Sequence, residues 1–227
     1  SNVGSTYTGT GGVTVATGDL SVSAGTFNPT GATTISTGDL VQSGGTVTLG
    51  GNLTLSGADG DITVSGGALN LGAGTVAVNG ATGDFSVSVG TVDFGSGTMS
   101  VAHDVSFTTG TVPTLGTRVT TMSGAGGTLT VGTVGYGPLT VNSAGTITVG
   151  GAGAGTDVQA LTVTAGTLAV GGTTFQAASA NLTGSVTVGA GGTFSTSGNL
   201  VVNATGSIVT SGSGATAITG TTNNAGS

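Results

Sequence analysis

The 227-residue chain carries 49 glycines, no cysteine and no tryptophan, and only 4% of its residues are charged, against roughly 25% in ordinary domains. All acidic residues are Asp, Arg118 is the single fixed cation and the net charge is −7; without clustered Lys or Arg, neither nucleic acid nor an anionic membrane surface is an expected partner. Disulfides are excluded, no stretch approaches the ~18 apolar residues of a membrane span, and abundant Val, Thr, Leu and Ile argue against disorder. The start at Ser1, without an initiator Met or a signal peptide, points to a processed end or the edge of an excerpt. The dearth of Lys and Arg leaves one trypsin-type site, which suits a long-lived secreted or surface material.

In chain order, an uncapped Gly-Ser-Thr segment containing Val3 and Tyr7 leads into Gly18-Asp19-Leu20-Ser21-Val22. This phrase, Gly, then Asp or Asn, then apolar–polar–apolar, returns at Gly51-Asn52-Leu53-Thr54-Leu55, Gly60-Asp61-Ile62-Thr63-Val64, Gly83-Asp84-Phe85-Ser86-Val87 and Gly198-Asn199-Leu200-Val201-Val202. A second phrase, Gly-Thr-apolar-x-apolar, interleaves with it at Gly45, Gly127, Gly145 and Gly166, and Gly-x-Gly precedes the strands at Thr75 and Thr98. The clearest cycle reads Ile62-Thr63-Val64, Leu69-Asn70-Leu71, Val76-Ala77-Val78. Strand side chains alternate faces, so corners that bend inward gather these apolar residues on one axis. A period of this size built from short strands marks a solenoid. The expected fold is all-β: a parallel β-helix with three short sheets and ten to eleven rungs of 20–23 residues, ~50 Å long at ordinary strand spacing. Right-handed coiling is the expected hand.

One domain is expected over residues 1–227, with irregular, widened corners near 109–123 and 150–156. Pro113, Arg118, the Gly135-Tyr136-Gly137-Pro138 run and the Gly-Ala run are placed in those corners. The last fifteen residues, including Ile218, Asn223 and Asn224, continue the Gly-Thr-Ser idiom without a cap. Solenoids expose an unpaired rung at each end unless capped. The terminal segments, represented by Val3, Tyr7, Ile218, Asn223 and Asn224, are therefore the expected contacts of an end-to-end homopolymer.

Chemistry is sparse. His103 precedes Asp104 where other rungs carry Gly18 or Gly83; a His-Asp pair could orient a Ser nucleophile, and the plainer reading is a replaced corner glycine. Polysaccharide cleavage needs clustered acids with cationic support, which one Arg and scattered Asp do not supply, so no enzyme is expected. Asp59 and Asp61 form an Asp-x-Asp that could hold a weak calcium site with backbone carbonyls. Asp19, Asp39, Asp61, Asp84 and Asp104 form a corner row in which stacked like charges would repel by on the order of 1 kcal/mol per pair. Asn52, Asn181 and Asn199 are expected to interrupt it. The Thr pairs Thr46/Thr48, Thr128/Thr130 and Thr146/Thr148 offer an intermittent array for an ice-binding reading. The sequons at Asn52, Asn181 and Asn203 are at the level expected by chance in a Thr-rich chain.

The idiom Gly-Asn-Leu-Thr-Leu-Ser-Gly from Gly51, with Gly-Gly-Ala-Leu-Asn-Leu-Gly-Ala-Gly-Thr-Val from Gly66, resembles the β-helical repeats of large secreted bacterial surface proteins, the filamentous-haemagglutinin-like adhesins and autotransporter passengers. The likeness is one of repeat style, spans roughly Val13 to Thr210 and transfers no functional residue. It implies export, a cell-surface or extracellular location and a structural or adhesive role, with contact to a surface or polysaccharide. The leading expectation is a non-enzymatic subunit of an extracellular filament, fibre or sheath. The alternative is a stalk segment of a large adhesin, with ice-binding and polysaccharide-active solenoids behind both.

Overall fold

A computed structural model describes residues 2–3, 6–108, 112–114, 116–130, 136–150 and 158–224. They form a stacked parallel β-solenoid whose coils pass through three faces in a fixed order. One coil runs Ile62–Val64, Ala68–Asn70, Val76–Val78, and the next runs Phe85–Val87, Thr91–Asp93, Thr98–Val101. Each strand pairs in parallel with its counterpart one coil away, as Ile62 does with Leu40 below and Phe85 above. The pairing step varies from 18 residues, Val170 to Val188, to 24, Val105 to Leu129, a wider spread than the predicted 20–23.

Two of the faces are eleven strands deep. The third holds six strands, from Tyr7–Gly9 to Val112–Thr114, and three more, from Thr174–Ala177 to Ala215–Ile218, so about nine turns have a strand on all three sides. No described helix is long and apolar enough to cross a membrane.

The alternating pattern does what it should. Ile62, Val64, Leu69, Leu71, Val76 and Val78 are all buried on the common axis, while Thr63, Asn70 and Ala77 between them face outward and are only half-buried. Aromatic rings thicken the middle of this core: Phe107 lies 5.6 Å from both Phe85 and Phe94 and meets the ring of Tyr136 edge-on at 4.8 Å. Burial pushes the Tyr136 hydroxyl well above its ordinary range, and that hydroxyl donates to the Thr130 carbonyl at 3.1 Å.

The corners explain the glycine content. At Gly67, φ is +79°, and a Cβ there would stand 2.3 Å from the carbonyl oxygen of Gly45, which occupies the same corner one coil below at φ +64°. Left-handed backbone and van der Waals contact between successive coils therefore impose the same residue twice over.

Several local expectations are corrected. Pro113 is not in a corner but in the strand Val112–Thr114, paired with Val92 at the edge of the six-stranded sheet, where a missing N–H is tolerated. Tyr136 is buried and bridged to Val158. Arg118 does lie between the strands Val112–Thr114 and Val119–Met122, with its side chain buried. The strands Leu139–Gly150 and Leu161–Val170 run through a corner and join two faces into one twenty-stranded sheet. Their corners read Asn142-Ser143-Ala144 and Thr164-Ala165, without the Gly-Asp phrase; the Ser143 hydroxyl donates to the Gly124 carbonyl and accepts the Gly145 N–H. The remainder of the expected irregular corners, 109–111, 115 and 151–156, lies outside the described residues.

Thr33 occupies an inward position between Val13 and Leu53, and its buried hydroxyl has no hydrogen-bond partner. Thr33→Val keeps the shape and removes an unmatched polar atom, so it should stabilise the fold by about 1 kcal/mol. A denaturant midpoint that falls instead would show that the hydroxyl is satisfied.

Candidate functional site

The phrase Gly-Asp builds a carboxylate seam along one corner of the stack. Oδ1 of each Asp accepts the backbone N–H of the equivalent residue one coil later: Asp19 from Asp39 at 3.1 Å, Asp39 from Asp61 at 2.9 Å, Asp61 from Asp84 at 2.9 Å, Asp84 from Asp104 at 2.9 Å, and Asp104 from Thr128 at 2.6 Å. Charge-assisted bonds of this kind are stronger than neutral ones, and they offset the repulsion of stacking like charges. The seam is not interrupted by Asn. Asn52 and Asn199 precede Leu53 and Leu200, and Asn181 lies within Ala180–Leu182; all belong to a different face. There Asn52 Oδ1 accepts the Thr75 N–H and Asn203 donates to Asn181. The two versions of the phrase thus serve two different corners.

Burial, together with the neighbouring charges of Asp84, Asp39 and Asp59, pushes the Asp61 carboxyl up; the Asp84 N–H pulls it the other way. Of the expected Asp-x-Asp pair, Asp61 belongs to the seam. Asp59 sits on an outward turn, accepts the Thr82 hydroxyl, and borders a cleft of about 320 Å³ with Asp19 and Asp39.

His103 stands on the seam. Its backbone N–H donates to the carbonyl of Gly83, the residue that fills the same place one coil earlier. Its Nδ1 lies 2.9 Å from Asp84 Oδ1 and 3.3 Å from Asp104 Oδ1, and the three donor atoms lie within 4.8 Å of one another. All three side chains are half-buried. Among the described residues this is the one group of three such ligands. Asp84 and Asp104 share one row of the repeat and His103 adjoins Asp104; stacking that row brings the imidazole to both acids.

Arg118 is 1% exposed and joins no carboxylate among the described residues. Nε donates to Phe94 O, one terminal nitrogen to Gly74 O and Thr98 O, and the other to Leu71 O and Gly72 O, at 2.6–3.1 Å. All five guanidinium donors are thereby spent on the backbone of the two preceding coils. Burial pushes its pKa down, but a guanidinium stays charged. The convergence of acids and Arg118 on one groove that a polysaccharide-active site would require is not what these contacts build.

The Thr pairs divide between faces, Thr46/Thr48 on the third and Thr128/Thr130 with Thr146/Thr148 on another. The terminal residues lie on the end coils. Val3 belongs to the strand Asn2–Val3, which pairs with Leu20–Val22. Tyr7 is 38% exposed and stacks on Phe27 at 5.4 Å. Asn223 and Asn224 pair with Val201 and Val202. Ile218, 37% exposed, lines an open hollow of about 520 Å³ with Leu200, Val202 and Ile208.

In comparison with known proteins, no family model matches the chain, and neither a curated protein nor a solved structure matches it.

Proposed function

We propose that this chain is a non-enzymatic structural element, a β-solenoid that associates end to end with further copies to form an extracellular filament, fibre or sheath. The observation that carries the reading is the C-terminal coil. Its strands Ser207–Thr210, Ala215–Ile218 and Thr222–Asn224 have sheet partners on one side only among the described residues, and the apolar axis opens there into the hollow that Ile218 lines. Free parallel edges over an apolar floor are the usual template for β-augmentation. A head-to-tail contact between unlike ends does not close on itself, so it propagates as a filament. The repeat style shared with bacterial surface proteins favours export and a surface location. It also favours the second reading, a stalk within a large adhesin, in which the same free edges continue into more solenoid of one polypeptide.

Negative-stain electron microscopy of the purified chain tests the proposal. Rods much longer than ~50 Å, the length of one stack at ordinary rung spacing, are expected. Ile218→Lys should disperse them by placing a charge over the apolar floor. Monomers that stay dispersed at high concentration would reject self-assembly and leave the stalk reading.

A further inference from the structure

We propose that Asp84, His103 and Asp104 bind one divalent transition-metal ion of the zinc class, independently of any end-to-end assembly. The geometry carries this. Tetrahedral coordination at zinc–ligand distances of ~2.0–2.1 Å sets neighbouring donors roughly 3.3 Å apart. Nδ1 of His103 already lies 3.3 Å from Asp104 Oδ1 and 2.9 Å from Asp84 Oδ1, and with all three donors within 4.8 Å of one another the carboxylates need only turn inward for an ion to sit among them.

The donors are also held from behind. Asp84 Oδ1 accepts the Asp104 N–H, and Asp104 Oδ1 accepts the Thr128 N–H. The His103 backbone is fixed over Gly83. Outer bonds of this kind orient metal ligands, and here the pairing of Phe85 with Val105 sets the spacing of the two coils. The half-exposed side chains leave room for water to complete the coordination, as in open zinc sites.

The donor set selects the ion. One imidazole nitrogen with two carboxylates suits zinc and its neighbours better than calcium, which takes six to eight oxygens. The seam supplies the field: Asp61 lies one coil below Asp84, and the chain's one fixed cation, Arg118, spends its donors on carbonyls elsewhere. Nδ1 donates to the Asp84 carboxylate at 2.9 Å; an ion that takes the Nδ1 lone pair replaces that proton, which leaves to solvent, while the ring keeps its N–H on Nε2.

Isothermal titration of zinc chloride into the full chain near neutral pH, in a non-coordinating buffer, tests the site. One ion per chain is expected. His103→Gly, which restores the residue found at Gly18, Gly60 and Gly83, should weaken binding roughly tenfold or more, and Asp84→Asn should do the same. Asp59→Asn should leave it unchanged. Far-UV circular dichroism of each variant separates a lost ligand from a lost fold. Absent binding heat, or a zinc isotherm that survives His103→Gly in a folded variant, overturns the proposal, as does loss of binding in Asp59→Asn alone.

Discussion

Arg118→Met is expected to destabilise the solenoid by about 3–5 kcal/mol, the cost of leaving buried polar groups without their charged partner. Five carbonyls from Leu71, Gly72, Gly74, Phe94 and Thr98 converge on the guanidinium. Met fills much of the same volume but donates no hydrogen bond. Arg118→Lys should fall between, because an ammonium has three donors and cannot span two coils with a planar fork. Hydrogen exchange should localise the damage to the coils that hold those carbonyls, since stability in a stacked repeat is a sum of neighbour terms. A variant within 1 kcal/mol of the parent would show that these carbonyls do not depend on Arg118.

Phe85→Ala should cost about 3–5 kcal/mol, the usual range for emptying an aromatic site in a core. Phe85 is fully buried, and its ring centroid lies 6.1 Å from that of Phe94 and 5.6 Å from that of Phe107. The three rings come from two faces and two coils, so removing one leaves the others without a contact surface that backbone pairing can restore. Phe85→Leu should recover most of the loss. A shift in the denaturant midpoint equal to that of an exposed Val-to-Ala change would contradict this packing.

The fold was legible because two signals agree. Apolar residues alternate with polar ones in triplets, and glycine returns at the corners where Gly45 and Gly67 must adopt positive φ. The position of Arg118 between strands was legible, but its burial was not. A lone charge reads as exposed, and its partners are main-chain carbonyls that leave no mark in the side-chain sequence. The seam was half legible. The Asp row could be read from the repeat, but Asn52 and Asn199 share its phrase and only strand pairing assigns them to another face. The long strands at Leu139 and Leu161 escaped because their corners keep the Gly-Thr phrase at Gly145 and Gly166, so nothing in the repeat marks the strand as running through them. His103 was singled out with one acid, Asp104; its second, Asp84, lies 2.9 Å away in space but on the previous coil.

The seam also separates winding from length. Its steps span unequal numbers of residues, yet each closes the same bond to the next N–H. In the coils that carry extra residues the surplus curls outward just ahead of the Asp, tied off by Gly60 N–H to Gly57 O and by Gly83 N–H to Gly80 O. Asp59 and Thr82 ride on those curls and bond to each other. The seam therefore has a shoulder where residues can be inserted without disturbing the stack, and new surface chemistry can be acquired there one coil at a time.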